Sequence, residues 1–269
     1  MAVLAKQKVE SSHWYTQGGL SAHRQPKANG DGERPTNVRD ARKLKLLPSV
    51  TTVLNVLGKS GLVNWQLEQV GLVAFESRPT DGESAEYYAK RVVGASKETT
   101  DDAATAGSAI HAAIEAHYDG DEVPDDLMPY VQAVDDWRAS KDLRFIERET
   151  VLVNRERGFA GMCDVVALGS QGQQTVIDWK TRKTIEGKPV RSYETEAMQV
   201  AAYAATRWGE DQIMKRRVYG ANVYVSRNEV GRVEVRAWMP EEIFAAYQTF
   251  LSCHQIWRYV KSYDPRTQG

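Results

Sequence analysis

The segment 175–180 constrains the fold of this chain more than any other. An apolar run typical of a β-strand, 175–177, is followed directly by Asp178, Trp179 and Lys180. Because successive strand side chains point to opposite faces, Asp178 and Lys180 are expected on one face and Trp179 on the other. The sequence therefore predicts a carboxylate beside an ammonium group at the end of a strand.

A second acid, Asp164, lies fourteen residues before Asp178, and Gly-Ser-Gln-Gly at 169–172 predicts a hairpin turn between them. If the hairpin is centred on Gln171, Asp164 lies opposite Asp178. Two adjacent carboxylates repel unless a cation lies between them, and magnesium and manganese prefer oxygen ligands. Lys180 can hold a phosphate or help to activate a water molecule. The group indicates a metal-dependent phosphodiester hydrolase, although an Asp-x-Lys at a strand end is also common as a solvated pair.

Two predicted helices carry further polar residues on one face each. The helix at 103–118 places His111 and Glu115 four residues apart, and neutral imidazole can serve as a manganese ligand beside carboxylates. A surface or half-buried histidine is the alternative. The helix at 194–208 places Gln199 and Tyr203 together, where they can hydrogen-bond a phosphate, a base edge or the lysine.

In chain order these segments contain Gly-x3-His, Gly-x2-Asp, Asp-x-Lys-Thr and Gln-x3-Tyr. This order resembles the RecB-type branch of the PD-(D/E)XK nuclease superfamily. That branch includes nuclease domains of recombination helicases, CRISPR adaptation nucleases, a mitochondrial genome-maintenance exonuclease and phage exonucleases. The segment 48–54 is similar to the start of the first helix in the phage and mitochondrial members, and the resemblance spans about residues 48–260.

The resemblance implies an α/β fold with a restriction-endonuclease-like core, in which helices flank a central mixed β-sheet, and an α-helical N-terminal half. It implies one or two Mg²⁺ or Mn²⁺ ions held by His111, Asp164, Asp178 and the main-chain carbonyl of Trp179. Lys180 would orient or deprotonate the attacking water.

The resemblance also assigns Gln199 and Tyr203 to the third motif of the family. Glu115 and Glu149 are further candidates at the site. Glu149 lies on a predicted strand where an acid often precedes the Gly-x2-Asp motif, although a solvated strand glutamate fits equally well.

The activity implied by the resemblance is exonuclease cleavage of DNA from a free end, in recombination, repair or phage DNA metabolism. A single-strand annealing or single-strand-binding protein is an expected partner. One alternative is a catalytically weak DNA-binding accessory protein on the same fold. A structure-specific or site-specific endonuclease is another, and the latter would need a dimer and a base-reading element.

Charge is distributed unevenly along the chain, although the net charge is only −1. Basic residues follow the Asp-x-Lys strand closely, at Arg182, Lys183, Lys188 and Arg191. Such a basic rim would steer a phosphate backbone towards the acidic site. A solvated loop with no such role is the alternative.

The composition bounds the remaining classes. A chain of 269 residues with 42% hydrophobic content can bury one sizeable core. We expect an irregular arm at 1–47, a single nuclease domain at 48–265, and a cytoplasmic protein without a membrane-spanning segment. The two cysteines are too few for a four-cysteine iron–sulfur cluster, and no Gly-x4-Gly-Lys loop for ATP occurs.

Hydrophobic periodicity and turn residues predict the order of elements. The predicted helices are 49–58, 63–77, 82–93, 103–118, 124–140, 194–208 and 240–263, and the predicted strands are 144–153, 158–168, 174–180, 217–226 and 233–238.

Overall fold

A computed structural model describes residues 13–58 and 60–268. The strands are β1 (Trp14–Tyr15), β2 (Arg24–Pro26), β3 (Glu33–Pro35), β4 (Leu47–Pro48), β5 (Arg144–Asn154), β6 (Phe159–Leu168), β7 (Gln174–Arg182), β8 (Val218–Ser226) and β9 (Val233–Trp238). The α-helices are α1 (Val38–Leu44), α2 (Val50–Leu54), α3 (Ser60–Glu76), α4 (Ala85–Asp119), α5 (Met128–Ser140), α6 (Glu194–Trp208), α7 (Glu210–Met214) and α8 (Pro240–Lys261). Short 3₁₀ turns lie at Asn55–Leu57 and Pro265–Gln268.

A central five-stranded mixed sheet of order β5-β6-β7-β8-β9 confirms the predicted α/β class. Strands β7 and β8 are parallel, because α6 and α7 connect them, and the other neighbours are antiparallel. In the β6–β7 hairpin, Val165 pairs with Ile177 and Val166 pairs with Val176, as expected for a hairpin centred on Gln171, and the paired residues end there, one step before Asp164 and Asp178. Gly172 lies in the turn with a φ of 78°, a conformation that glycine adopts without strain.

Helices cover both faces of the sheet. Val176 belongs to a core formed with α2, α6 and α8, whereas Ile177 and Trp179 belong to a second core formed with α4 and α5. The predicted alternation along β7 is thus confirmed. Asp178 and Lys180 lie on the α6 face, where Gln199 contacts both of them.

The predicted separation of helices at 82–93 and 103–118 was wrong. They form one 35-residue helix, α4. The polar segment between them contains no proline, so its backbone hydrogen bonds continue without interruption. Ser84 begins the helix by accepting a hydrogen bond from the main-chain N–H of Tyr87, and Gly120 ends it in the left-handed conformation.

The predicted irregularity of the arm was also wrong for residues 13–47. This part contains three short strands and α1, and β1 pairs with β4. Trp14 is 0% exposed and lies in the same core as Trp257 of α8, with 6.0 Å between the ring centroids. Strands of two or three residues are too short to show a hydrophobic period, so periodicity does not predict them. The remainder of the arm, 1–12, lies outside the described residues.

Within the described ranges, the structure contains no helix that is both long enough and apolar enough to cross a membrane.

Candidate active site

Four ligating side chains meet where α4 crosses the β5–β6 pair. Ligand atoms of His111, Glu115 and Glu149 all lie within 4.8 Å of one another. The Nδ1 atom of His111 is 2.7 Å from Glu115 Oε1, and its Nε2 atom is 3.5 Å from Asp164 Oδ2. The structure therefore brings together His111, Asp164 and the two further candidates from the sequence, and we call these four residues the acidic cluster.

Helix α4 can reach the sheet because Gly107 has no side chain. A Cβ atom on Gly107 would lie 2.5 Å from Thr181 Oγ1 of β7, which is closer than real Cβ atoms approach. His111 and Glu115 follow one and two turns later on the helix, and their spacing of four residues places them on one face. The glycine of the Gly-x3-His motif thus sets the distance between α4 and the sheet.

The backbone of Glu149 is unusual for a strand residue. Its φ angle is 43°, in the left-handed region that non-glycine residues adopt at a cost of about 1–3 kcal/mol. Its Oε1 atom is buried and, within the described residues, lacks a hydrogen-bond partner. An unpaired buried carboxylate oxygen is unfavourable unless a cation or a proton satisfies it.

Electrostatics in the acidic cluster favour a bound cation. Burial, the nearby charges of Asp164 and Glu115, and a hydrogen bond with the Glu115 carboxyl group raise the pKa of Glu149 to about 8. Burial alone would lower the pKa of His111, but hydrogen bonding and charge attraction from Asp164, with Glu149 and Glu115, raise it to about 9. Three carboxylates and one imidazole form a donor set that suits Mn²⁺ or Mg²⁺, with imidazole favouring manganese.

A small pocket opens beside the acidic cluster. Its volume is about 10 Å³, roughly the space that one water molecule needs. The lining residues are Ile114, Glu115, Tyr118, Asp119, Arg148, Glu149, Asp164, Val165 and Trp179.

Asp178 lies in a second group, which is centred on Lys180. It is 1% exposed, and its Oδ2 atom is 2.5 Å from Lys180 Nζ. The side-chain amide of Asn222 donates to Oδ2 at 2.8 Å, and that of Gln199 donates to Oδ1 at 2.9 Å. Protein donors thus occupy both oxygens of Asp178, the predicted ligand that the structure leaves outside the acidic cluster.

Asp164 lies between the two groups. Its Oδ2 atom, which faces His111, also accepts a 2.7 Å hydrogen bond from the main-chain N–H of Trp179. Trp179 therefore contacts the site through its main-chain N–H, and a ligand role for its carbonyl oxygen stays a prediction.

Burial raises the pKa of Asp178 to about 6, with the charge of Lys180 opposing the rise and the charge of Asp164 adding to it.

Lys180 is held as a cation. Burial alone would lower its pKa, but the charges of Asp178 and Asp164 outweigh burial and raise it above the ordinary lysine value. Its Nζ atom also donates to Gln199 Oε1 at 3.4 Å. An ammonium group fixed in this way can donate hydrogen bonds to a water or a phosphate oxygen.

Tyr203 packs next to Gln199 in the group centred on Lys180. Its hydroxyl accepts a 3.4 Å hydrogen bond from Gln199 Nε2, and burial raises its pKa well above the ordinary value. A Cβ atom on Gly161 would lie 2.7 Å from Tyr203 Cε1, so the glycine of the Gly-x2-Asp motif leaves room for the ring. The motifs at Asp164 and Gln199 are therefore packed directly against each other.

The sequence analysis missed Asn222, which lies opposite Asp178 in the parallel β7–β8 register and is fully buried. Its Oδ1 atom accepts a 2.7 Å hydrogen bond from Trp238 Nε1, which fixes the orientation of the amide. The available signal was a single amide inside the otherwise apolar strand β8. A buried amide of this kind needs polar partners.

The four residues of the basic rim differ in their surroundings. Arg182 forms an ion pair with the buried Glu196, and its guanidinium lies 4.8 Å from the ring centroid of Tyr193. Its charge is therefore already paired. The side chains of Lys183, Lys188 and Arg191 are exposed, so their predicted contact with DNA is sterically open.

Comparison with known proteins adds little to this site. No family model and no curated protein matches the chain. Solved structures match it in 17 chains, among them the crystal structure of SSO0001 at 15% sequence identity and a TM-score of 0.25. That match covers 46% of this chain and 56% of that chain. A likeness this weak does not indicate a shared fold.

Proposed function

We propose that this protein is a metal-dependent deoxyribonuclease of the RecB-type PD-(D/E)XK class, and that it hydrolyses phosphodiester bonds from a DNA end. The preference for a DNA end over an internal site follows from the motif resemblance described above. The chemistry follows from the site.

One observation carries the proposal. The acidic cluster concentrates three carboxylates and an imidazole, and Asp164 of the cluster accepts a hydrogen bond from the main-chain N–H of Trp179, the residue next to the cationic Lys180. Such a cluster repels a phosphate unless a cation is bound, and with a cation it attracts one. A protein that only binds DNA gains nothing from grouped carboxylates beside the phosphate backbone.

The four residues of the acidic cluster would hold one or two Mg²⁺ or Mn²⁺ ions. Such ions polarise the scissile phosphate and lower the pKa of a bound water. Glu149 contributes Oε1, which has no hydrogen-bond partner in the part of the chain that the structure describes, and Asp164 is fixed by the N–H of Trp179. His111 presents Nε2 towards Asp164, so it can turn to a shared ion with little movement.

Lys180 acts as a hydrogen-bond donor in this proposal. Since its pKa is raised, the ammonium form predominates at neutral pH in the metal-free protein. It would orient the attacking water and stabilise negative charge that develops on the phosphate. Gln199 holds both Asp178 and Lys180, and so keeps the ammonium group in place.

A catalytically weak DNA-binding protein is the second candidate. The occupied oxygens of Asp178 favour it, because a carboxylate with three protein donors is less available to a metal ion. This candidate predicts DNA binding that is insensitive to removal of the acidic cluster. A metal-dependent cleavage assay separates the two.

The test uses end-labelled single-stranded, blunt double-stranded and circular DNA in Mg²⁺ or Mn²⁺. Degradation of linear DNA while circular DNA resists would support an exonuclease, and cleavage of the circle would support an endonuclease. No metal-dependent cleavage of any substrate would contradict the nuclease proposal.

A pair of variants then separates chemistry from binding. Lys180→Ala should lower turnover by orders of magnitude while DNA affinity in calcium is retained, because a lost transition-state contact costs more than one phosphate contact. Neutralising Lys183, Lys188 and Arg191 should do the reverse. It should weaken binding and reduce its salt dependence by about one unit of slope per lost phosphate contact. Poor binding with normal turnover in Lys180→Ala would show that these roles are wrongly assigned.

A further inference from the structure

Two consecutive residues of β5, Arg148 and Glu149, line the same small pocket. Neighbours on a regular strand point to opposite faces, so this arrangement needs a local change of backbone. The left-handed φ of 43° at Glu149 provides it. The strained residue therefore places a guanidinium beside the acidic cluster as well as a carboxylate within it.

The guanidinium of Arg148 is held in the pocket by weak, exposed contacts. One of its Nη atoms lies 3.0 Å from Asp119 Oδ1, with the two side chains 35% and 59% exposed. Exposed ion pairs of this kind stabilise a protein by only about 0–1 kcal/mol. Asp119 is also the last residue of α4, where a negative charge is unfavourable to the helix dipole. A substrate anion can replace Asp119 at little cost.

The ring of Tyr118 supports the arginine from one side. Its centroid lies 5.8 Å from the Arg148 guanidinium carbon. The Tyr118 hydroxyl donates to Asp135 Oδ1 at 2.8 Å, and the other oxygen of Asp135 is 2.6 Å from His117 Nε2. The ring is thus held in place, and it lies within cation–π distance of the guanidinium carbon of Arg148 and of that of Arg138, which is 5.4 Å from the ring centroid.

We propose that Arg148 is a phosphate-binding catalytic residue, which exchanges Asp119 for non-bridging oxygens of the phosphate at or next to the cleaved bond. This inference rests on the proposed nuclease function and adds a second cationic side chain, besides Lys180, for binding the phosphate. Guanidinium groups bind phosphate through two parallel N–H···O bonds. A bidentate arginine would fix the phosphate against the acidic cluster and stabilise the charge that grows on it during hydrolysis.

Four variants of the full-length protein test the assignment: Arg148→Gln, Arg148→Lys, Asp119→Asn and Arg144→Gln. Arg144 begins the same strand and is exposed, so its variant is a control for loss of one positive charge. The measurements are kcat/KM on a labelled oligonucleotide in Mn²⁺, oligonucleotide affinity in Ca²⁺, Mn²⁺ affinity alone, and thermal unfolding. Oligonucleotides with a 5′-phosphate or a 5′-hydroxyl distinguish a terminal phosphate from an internal phosphodiester as the bound group.

Arg148→Gln should lower kcat/KM by about a hundredfold, the typical cost of removing one transition-state donor. Its Mn²⁺ affinity should be unchanged or tighter, because a cation beside the acidic cluster is gone. Arg148→Lys should recover part of the loss, and Arg144→Gln should behave as the wild type. Asp119→Asn should tighten oligonucleotide binding, since it removes the competitor for the guanidinium.

Equal losses in Arg148→Gln and Asp119→Asn would overturn the inference, because they would show that only the ion pair matters. Wild-type kinetics and affinity in Arg148→Gln would also overturn it. If the wild-type protein itself shows no cleavage in any metal, the proposed function fails. The affinity in Ca²⁺ would still decide whether Arg148 binds phosphate.

Discussion

Substitution of Gly107 by alanine tests whether the contact between α4 and β7 sets the geometry of the acidic cluster. The added Cβ would lie 2.5 Å from Thr181 Oγ1, about 0.9 Å short of the 3.4 Å at which ordinary contact begins. Thr181 is β-branched and offers few alternative rotamers, so the helix itself must move. Because the interior is close-packed, His111 one turn later moves with it.

The expected change in stability is a difference between two opposing effects. Replacing glycine by alanine inside a helix stabilises by about 1 kcal/mol. Overpacking a tight contact destabilises by about 1–3 kcal/mol. We expect a net loss of about 0–2 kcal/mol and a larger effect on function, because a displacement near 1 Å can lower a rate by about a hundredfold. Denaturant unfolding, Mn²⁺ titration and the cleavage assay measure the three quantities.

Two controls make the experiment decisive. Gly94→Ala lies on the same helix with no atom within 4 Å of its added Cβ, so it should stabilise the protein by about 1 kcal/mol. In the double variant Gly107→Ala/Thr181→Ala the contact with Oγ1 is gone, and the next atoms from the new Cβ are the Thr181 Cβ position at 3.6 Å and Arg227 Cδ at 4.0 Å, both ordinary contacts. Metal affinity should therefore recover. Wild-type metal affinity in Gly107→Ala, or no recovery in the double variant, would refute the reasoning.

Further variants and pH address the ligands themselves. Asp164→Asn should abolish cleavage while the fold survives. Asp178→Asn should abolish cleavage and also destabilise the protein by about 1–3 kcal/mol, because the asparagine side chain offers one acceptor oxygen where three donors converge. Activity assays and thermal unfolding compare the two variants, and equal losses of stability would contradict the expected difference between them. His111→Ala should raise the metal concentration needed for activity, and Mn²⁺ should restore activity better than Mg²⁺. If the variant loses stability but its metal titration is unchanged, His111 is a packing residue. The pKa values of Glu149, about 8, and His111, about 9, both exceed the values that these groups have in the unfolded chain. The folded metal-free protein therefore binds more protons than the unfolded chain, and its free energy of unfolding should fall as pH rises from about 5 to about 9. Metal binding displaces these protons, so the rise in melting temperature with Mn²⁺ should be larger at high pH, and a larger rise at low pH would contradict the assignment.

Features set by local signals could be predicted from the sequence. The helix Glu194–Trp208 and the strand Val233–Trp238 were predicted to the residue. The β6–β7 register was predicted because a four-residue turn and a two-residue period leave one pairing that buries both apolar faces. Asp178, Lys180 and Gln199 then meet because β7 and α6 pack directly against each other.

Features that depend on tertiary packing could not be predicted in this way. Strand β1 forms because β4 and the core offer partners for Trp14 and Tyr15, whereas β2 and β3 pair with each other. Asn222 is placed opposite Asp178 by the parallel β7–β8 pairing, which depends on how α6 and α7 cross the sheet. Arg182 forms an ion pair with Glu196 of α6, a contact between two elements that the local sequence does not indicate.

Asp178 and Glu149 show the same limit at the centre of the site. From the sequence, two facing aspartates require a cation between them. In the folded chain, Lys180, Asn222 and Gln199 supply donors to Asp178, so part of that requirement is met by the protein itself. The carboxylate that still lacks a compensating donor is Glu149. Its buried Oε1 has no hydrogen-bond partner within the described residues, and its backbone is strained. Strain and an unpaired acceptor at one residue are costly, and they persist where a ligand or a proton compensates for them, so Glu149 supports the proposed metal site more directly than the motif acids do.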